Sequence, residues 1–319
     1  MKRVIVTGAT GFVGANLAEK LINDGHEVHL LVRDEAQFWR VEHLLPHLQL
    51  FKASLLDRER LFSEVARIRP DWVFHLAAYG AYSWQDDPNM AIQTNFLGTV
   101  NLVDACQKIG FEVFVNTGSS SEYGLKDHAS TERDSLDPNS YYAVTKASAT
   151  LFCRYTAQRF DLPIYTLRLY SVFGPYEEPN RLIPTLIIKG LQGKYPPLVN
   201  PDIARDFIFS EDVIRAYLFM TTASLPPGEI YNVGTGKQTT LRDVVEVTRE
   251  IFSLNAEAVW GSMKDRNWDA KTWVANNEKL SKAGWMPEFD FRTGYIKTVD
   301  WFKRYPALVQ KIYVGPQKL

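Results

Sequence analysis

The chain opens on a continuous β-branched run, Val4-Ile5-Val6, that passes into Thr7-Gly8-Ala9-Thr10-Gly11-Phe12-Val13-Gly14 and then into a stretch carrying Leu17, Leu21 and Ile22 on one helical side. A run without polar alternation suits a strand buried on both faces, and the period after it suits a helix packed on that strand. Glycines at G-x-x-G-x-x-G spacing let the backbone turn tightly, let a pyrophosphate approach the helix amino terminus, and let the helix lie close on the strand. A bare glycine triplet also marks an ordinary tight turn. With a strand before it and a helix after it, nucleotide binding is the reading that the context supports.

The alternation then repeats. Strands are expected at 27–32, 50–51, 72–78, 112–116 and 164–169, and helices at 57–68, 88–110 and 140–160. Such regularity implies an α/β protein with a doubly wound parallel sheet covered by helices on both faces. Beyond residue 170 the pattern loosens into proline- and glycine-rich segments, with strands expected at 207–209 and 229–233. Residues 1–170 therefore read as a dinucleotide-binding domain. Residues 171–319 read as a smaller, mixed substrate-binding region, some of whose strands and helices return to the first domain. Arg181, Arg205 and Arg266 lie there in loop-like settings where guanidinium groups could clamp phosphates, although any one of them taken alone reads better as a surface arginine.

The strand at 72–78 ends in small residues, Ala77 and Ala78, that let a ligand come close, and its His75 reads as a satisfied core histidine. The strand at 27–32 should end beside an adenosine ribose. Many such proteins place an acid there for the 2′-hydroxyl, but here Val32 is followed by Arg33, which suits a 2′-phosphate and tilts the cofactor from NAD towards NADP. A solvated strand end is the other reading of Arg33.

Chemistry is suggested by Tyr142-Ala143-Val144-Thr145-Lys146. On a helix, residues four apart leave the same face one turn apart. A phenol of ordinary pKa about 10 is a poor proton carrier at neutral pH, and a nearby ammonium together with a cationic ring would favour its phenolate. Upstream, the loop 116–124 follows the apolar run Val113-Phe114-Val115, and its hydroxyls could hold a substrate oxygen against Tyr142. Taken alone, the Tyr-x-x-x-Lys pair could also be chance on an amphipathic helix.

Composition narrows the partners. Thirty-six basic residues against thirty-seven acidic ones in 319, with no basic block, argue against nucleic acid or a membrane surface. Cys106 and Cys153 sit in apolar helical contexts without metal-ligand spacing, so no metal is expected and a reducing compartment, the cytosol by default, fits. Neither a signal peptide nor an apolar run of membrane-spanning length is apparent.

Together these residues resemble the extended short-chain dehydrogenase/reductase family, the Rossmann-type nucleotide-sugar epimerases, dehydratases and reductases. The ordered matches are Thr7-Gly8-x-x-Gly11-x-x-Gly14, His75-Leu76-Ala77-Ala78, Asn95-x-x-Gly98-Thr99, the serine loop ending in Tyr123-Gly124, Tyr142-x-x-x-Lys146, the stretch 167–175 from Leu167-Arg168 to Gly174-Pro175, Arg205-Asp206-Phe207, Tyr231-Asn232-Val233-Gly234 and Gly284-Trp285-x-Pro287. The resemblance implies that Tyr142 is the general acid/base. Lys146 would hold the nicotinamide ribose and lower the Tyr142 pKa. Ser119, four residues before Tyr123, would hydrogen-bond the reacting oxygen. Cofactor contacts would come from Gly8, Thr10, Gly11, Phe12, Val13, Gly14, Arg33, Ala77, Ala78, Val172 and, at the nicotinamide end, Asn95. Substrate contacts would come from Ser120, Ser121, Ser171, Arg181, Arg205, Arg266 and Asp269. A homodimer through the helices carrying Cys106 and Tyr142 is implied in the same way.

Three departures bear on the reaction. Ser121 stands where the 4,6-dehydratase branch commonly has an acid, and Glu122 is one residue off. Ser54 replaces the usual aspartate after the third strand, leaving Leu55 as the adenine contact. Ser171 replaces a common asparagine beside the sugar. Arg33 and the missing acid favour NADPH-dependent reduction of a nucleotide-linked 4-keto-6-deoxyhexose. The alternative is a 4-epimerase with tightly bound NAD. A 4,6-dehydratase and a non-catalytic dinucleotide sensor follow, the sensor being marked by loss of the tyrosine or lysine, both of which are present.

Overall fold

The structure, a computed structural model, describes residues 1–82, 84–262 and 271–315. Its strands are β1 (Arg3–Thr7), β2 (Glu27–Val32), β3 (Gln49–Lys52), β4 (Trp72–His75), β5 (Val113–Ser119), β6 (Ile164–Leu169), β7 (Ser171–Phe173), β8 (Ala204–Arg205), β9 (Phe207–Phe209), β10 (Ile230–Val233) and β11 (Thr239–Thr240). Seven of them form one parallel sheet in the order β10-β6-β5-β4-β1-β2-β3, while β7 pairs with β9 and β8 with β11. The chain thus winds outwards from β1 in both directions. In such sheets ligands bind outside the carboxyl ends of the strands where the winding reverses, here between β1 and β4.

The helices are α1 (Phe12–Asn23), α2 (Arg58–Ile68), α3 (Pro88–Ala91), α4 (Gly98–Ile109), α5 (Tyr141–Phe160), α6 (Leu182–Leu191), α7 (Ser210–Phe219), α8 (Leu241–Phe252), α9 (Glu278–Ala283), α10 (Phe291–Arg304) and α11 (Pro306–Val309). Local chemistry sets several of their starts. Asp57 caps α2 by accepting from Arg60 N, and Ser140 caps α5 by accepting from Ala143 N. Among the described residues no helix is long and apolar enough to cross a membrane.

Successive β1 residues point to opposite faces of the sheet and so feed different cores. Val4 and Val6 join Leu17, Leu21, Phe74 and Tyr217 under α1 and α7, whereas Ile5 joins Leu61, Leu102 and Phe114 under α2 and α4. A third core, around Phe173, Ile187, Phe209, Val244 and Phe302, holds α6, α8 and α10 together. β10 and α7 come from beyond residue 170 yet serve the main sheet and its first core.

Three boundaries differ from expectation, each for a local reason. β4 stops at His75 because Ala77 N turns aside to donate to Thr7 Oγ1 at 3.2 Å. β5 continues to Ser119 because β6 stays beside it, pairing Gly118 with Arg168 and Ser119 with Leu169. The expected helix at 88–110 contains a π-helical stretch, Ile92–Leu97, where the Thr99 hydroxyl donates to the Asn95 carbonyl at 2.6 Å. Such bulges arise where a side chain intrudes on the backbone ladder.

Candidate active site

The glycine turn lies at the carboxyl end of β1 and fits a dinucleotide phosphate. Gly8 has φ of +71°, and a Cβ there would stand 2.6 Å from Ala77 N, so no larger side chain would allow the β1 and β4 ends to meet. A Cβ on Gly14 would stand 2.4 Å from Gly8 O, so its absence lets α1 sit on the turn. The N-cap of α1 is Gly11, with no side-chain cap and no acid in the first turn, which leaves the helix amino terminus open to an anion.

Two strands away, about 10 Å across the sheet at ordinary strand spacing, Ser119 ends β5. Its Oγ accepts from Ser121 N at 3.1 Å, so its own O–H can donate outwards. That hydroxyl lies near Tyr142, in the first turn of α5, and holds the phenol's pKa down against burial. Gly80, at φ of +95°, brings the loop after β4 so close that a Cβ there would stand 3.1 Å from the Tyr142 Cβ. Lys146 follows one turn on, only 1% exposed and without an ion pair among the described residues.

Burial dominates the electrostatics of the pair. Burial pushes the Tyr142 phenol up, the Ser119 hydroxyl is the largest opposing influence, and the Arg181 charge also pulls it down. Burial likewise pushes Lys146 down, opposed by the charge of Glu122. Among the protein's own groups Tyr142 is therefore held as the neutral phenol.

The serine loop is fixed from beneath. Glu122 is fully buried; its Oε2 takes Arg168 Nε at 2.8 Å, and its Oε1 takes Ser119 N at 2.8 Å and Thr150 Oγ1 at 3.0 Å. Arg168 Nη1 also donates to Tyr123 OH at 2.9 Å, and that phenol donates to Asn232 Oδ1 at 2.7 Å. Glu122 thus points into the core, its carboxylate engaged by Arg168, Ser119 N and Thr150. His75 is a satisfied core residue as expected. Thr7 Oγ1 lies at 2.7 Å from its Nδ1 and Thr99 Oγ1 at 2.9 Å from its Nε2, and burial pushes its pKa down to about 3.

Other expected contacts fall out differently. Asn95 is fully buried with its amide spent on Tyr79 O, Tyr79 N and Thr145 Oγ1, so it braces the loop after β4 against α5 instead of facing a ligand. The Leu55 side chain packs into the core against Gly98, leaving Ser54 and Leu56 as the exposed residues of that turn. Ser120 Oγ accepts from Trp273 Nε1 at 3.1 Å, and Arg205 lies over that indole at 5.5 Å. Trp273 was not foreseen, because no spacing in the sequence links it to the serine loop. Ser121, Ser171 and Val172 are half-buried, with Ser171 N donating to Asp206 O at 3.0 Å. Thr10, Phe12 and Val13 lie in the glycine turn and the start of α1, and Ala78 lies in the loop after β4. Arg181 caps α6 and is exposed. Arg33 is exposed at the end of β2 beside Asp34, whose carboxylate faces Lys52 at 3.6 Å. Arg266 and Asp269 lie outside the described residues.

A doubly wound parallel sheet, an open glycine turn and a Tyr-Lys pair beside a serine loop define an extended short-chain dehydrogenase/reductase. The chain belongs to the NAD-dependent epimerase/dehydratase family, whose model matches residues 4–234. It is 29% identical to a UDP-glucose 4-epimerase of Mycolicibacterium smegmatis, with 94% of this chain and 98% of that one aligned. It is 25% identical, over 96% of its length, to a trifunctional UDP-glucose 4,6-dehydratase, 3,5-epimerase and reductase of Arabidopsis thaliana, and spans about half (47%) of that enzyme. Among solved structures, a Thermus thermophilus UDP-glucose 4-epimerase in complex with NAD superposes with a TM-score of 0.83 at 28% identity, covering 94% of this chain and 99% of that one.

Proposed function

We propose that this chain is an NAD(P)-dependent oxidoreductase acting at C4 of a nucleotide-linked sugar without dehydrating it, most concretely reducing a 4-keto-6-deoxyhexose. The observation that carries the reading is the site itself. Tyr142 and Ser119 converge on one point above the β5 end, while the one carboxylate of the serine loop is committed to Arg168. Ser119 would donate a hydrogen bond to the C4 oxygen, and Tyr142 would deliver a proton to that oxygen. Lys146, buried behind them, would hold the ribose of the dinucleotide, which when bound supplies the hydride for C4. The phenol that burial favours is the form a reduction consumes.

On the cofactor side, Arg33 follows β2 and Lys52 ends β3 opposite Val32, and two cations at these strand ends would suit a 2′-phosphate. This supports NADP. A second reading, 4-epimerisation with retained NAD, is favoured by Asp34, a carboxylate beside the same strand end. Two more expectations remain part of the proposal. A homodimer would use the exposed apolar stripe of α5 (Tyr141, Val144, Leu151 and Tyr155), and a reducing, cytosolic compartment would suit the two free buried thiols.

The test is direct. Purified protein mixed with NADPH and a nucleotide-linked 4-keto-6-deoxyhexose should consume NADPH, and Arg33→Asp should shift preference towards NAD. Interconversion of a UDP-hexose by protein carrying bound NAD, with no NADPH consumed, would replace the first reading with the second.

A further inference from the structure

Beyond β2 the chain carries Trp39-Arg40, to which the sequence patterns gave no role. Arg40 is 6% exposed and stacks on Trp39 at 4.1 Å. Its Nε donates to Tyr176 O at 2.8 Å, its Nη2 to Glu178 Oε2 at 2.9 Å, and its Nη1, over a long 3.4 Å, to Thr10 O. One guanidinium therefore touches both the glycine turn and the loop between β7 and α6. A second tie runs alongside it. Asn16 on α1 donates through Nδ2 to Phe12 O and to Pro175 O, each at 2.9 Å.

The loop that these groups hold is under strain. Tyr176 has φ of +69°, which a bulky residue adopts only where its surroundings enforce it. Enforcement is visible in the Arg40 bond to its carbonyl and in the ring packing of Tyr176 on Trp301 at 4.9 Å and His43 at 5.9 Å. From there the loop runs to Arg181 at the start of α6, whose backbone N–H donates to Glu178 O at 2.9 Å.

We propose that Arg40 is a positioning residue that couples the two ligand sites. A dinucleotide seated on the turn at Thr10 steadies the fork of Arg40, the fork steadies the 175–178 backbone, and Arg181 is thereby presented to the substrate. Coupling of this kind is reciprocal, and the second ligand meets a loop already ordered by the first. Only arginine serves, because a planar fork reaches acceptors on separate segments that a single ammonium could not. The inference rests on the nucleotide-sugar reading.

The experiment uses the full chain and two probes: the tighter-binding of NADP+ and NAD+, and the tightest-binding of UDP, dTDP, CDP and GDP. Dinucleotide affinity is measured by calorimetry with and without saturating nucleoside diphosphate, in wild type, Arg40→Met, Arg40→Lys and Glu178→Gln. The wild type should show mutual tightening of about fivefold or more, absent in both Arg40 variants and reduced in Glu178→Gln, with KM raised more than kcat is lowered. A wild type without tightening, or Arg40 variants that keep it in full, would overturn the inference. Should the Arg40 variants fail to fold, undiminished tightening in Glu178→Gln overturns it as well. A wild type that binds neither probe overturns the functional reading itself, and the inference with it.

Discussion

Arg168 Nε stands 2.8 Å from Glu122 Oε2, with side chains 2% and 0% exposed. A buried pair of this kind contributes little net stability, but removing one partner strands a charge and costs about 3–5 kcal/mol. Glu122→Ala should therefore lower the urea midpoint sharply, and adding Arg168→Met should recover part of the loss. Glu122→Gln keeps an acceptor for Ser119 N and tests the chemistry separately. It still leaves the Arg168 charge unpaired, so its urea midpoint should fall, though less than for Glu122→Ala, while the folded protein stays active; a rate loss of about 10²-fold or more in well-folded protein would put Glu122 in the reaction.

Tyr142→Phe removes the proton donor while leaving the aromatic ring and the Cβ that Gly80 packs against. The rate should fall by about 10²–10⁴-fold, with dinucleotide affinity little changed by calorimetry. The pH profile has a defined sign. Burial raises the phenol above its ordinary value, so the donor form persists across neutral pH, and reduction should slow only as pH rises beyond about 10. A reduction rate that climbs steadily from pH 6 to 9 would assign Tyr142 the opposite protonation state.

The fold was legible where periodicity carries it. Val4-Ile5-Val6, the glycine turn and the regular alternation to Leu169 each report a local requirement, and β2 and β6 fall on the expected residues. The site was legible where residues share one element, as Tyr142 and Lys146 share α5. Contacts made across the fold were not. Trp273 meets Ser120, and Arg40 meets Tyr176, through distances along the chain that no spacing rule spans. Asn95 shows the complementary failure. Its position was found, but its amide is used up by Tyr79 and Thr145, a fact that only side-chain geometry reveals.

The exposed stripe on α5 leads to a prediction about assembly. Tyr141, Val144, Leu151 and Tyr155 recur at intervals of three, seven and four, so they share one side of the helix, away from the sheet. Light scattering of wild type should give twice 36.5 kDa, and Leu151→Glu should give the single-chain mass with its helical circular dichroism retained. A monomeric wild type removes α5 as a self-association face.

Glu177 sets a pH dependence on stability. Its side chain is buried, its Oε2 has no hydrogen-bond partner among the described residues, and burial pushes its pKa up to about 8, against the pull of Arg181. A carboxyl whose folded pKa lies above its unfolded value favours the fold while it is protonated. Its contribution is whole below the unfolded pKa of about 4.3 and is lost as pH rises through about 8. Glu177→Gln keeps the shape and removes the ionisation. The variant should match wild type in urea midpoint near pH 5 and exceed it by about 1–3 kcal/mol of stability near pH 9, the scale of a buried polar group left without a partner. Parallel stability curves for the two proteins across that range would mean that the Glu177 carboxylate finds compensation as it ionises, through movement of Arg181 or entry of water.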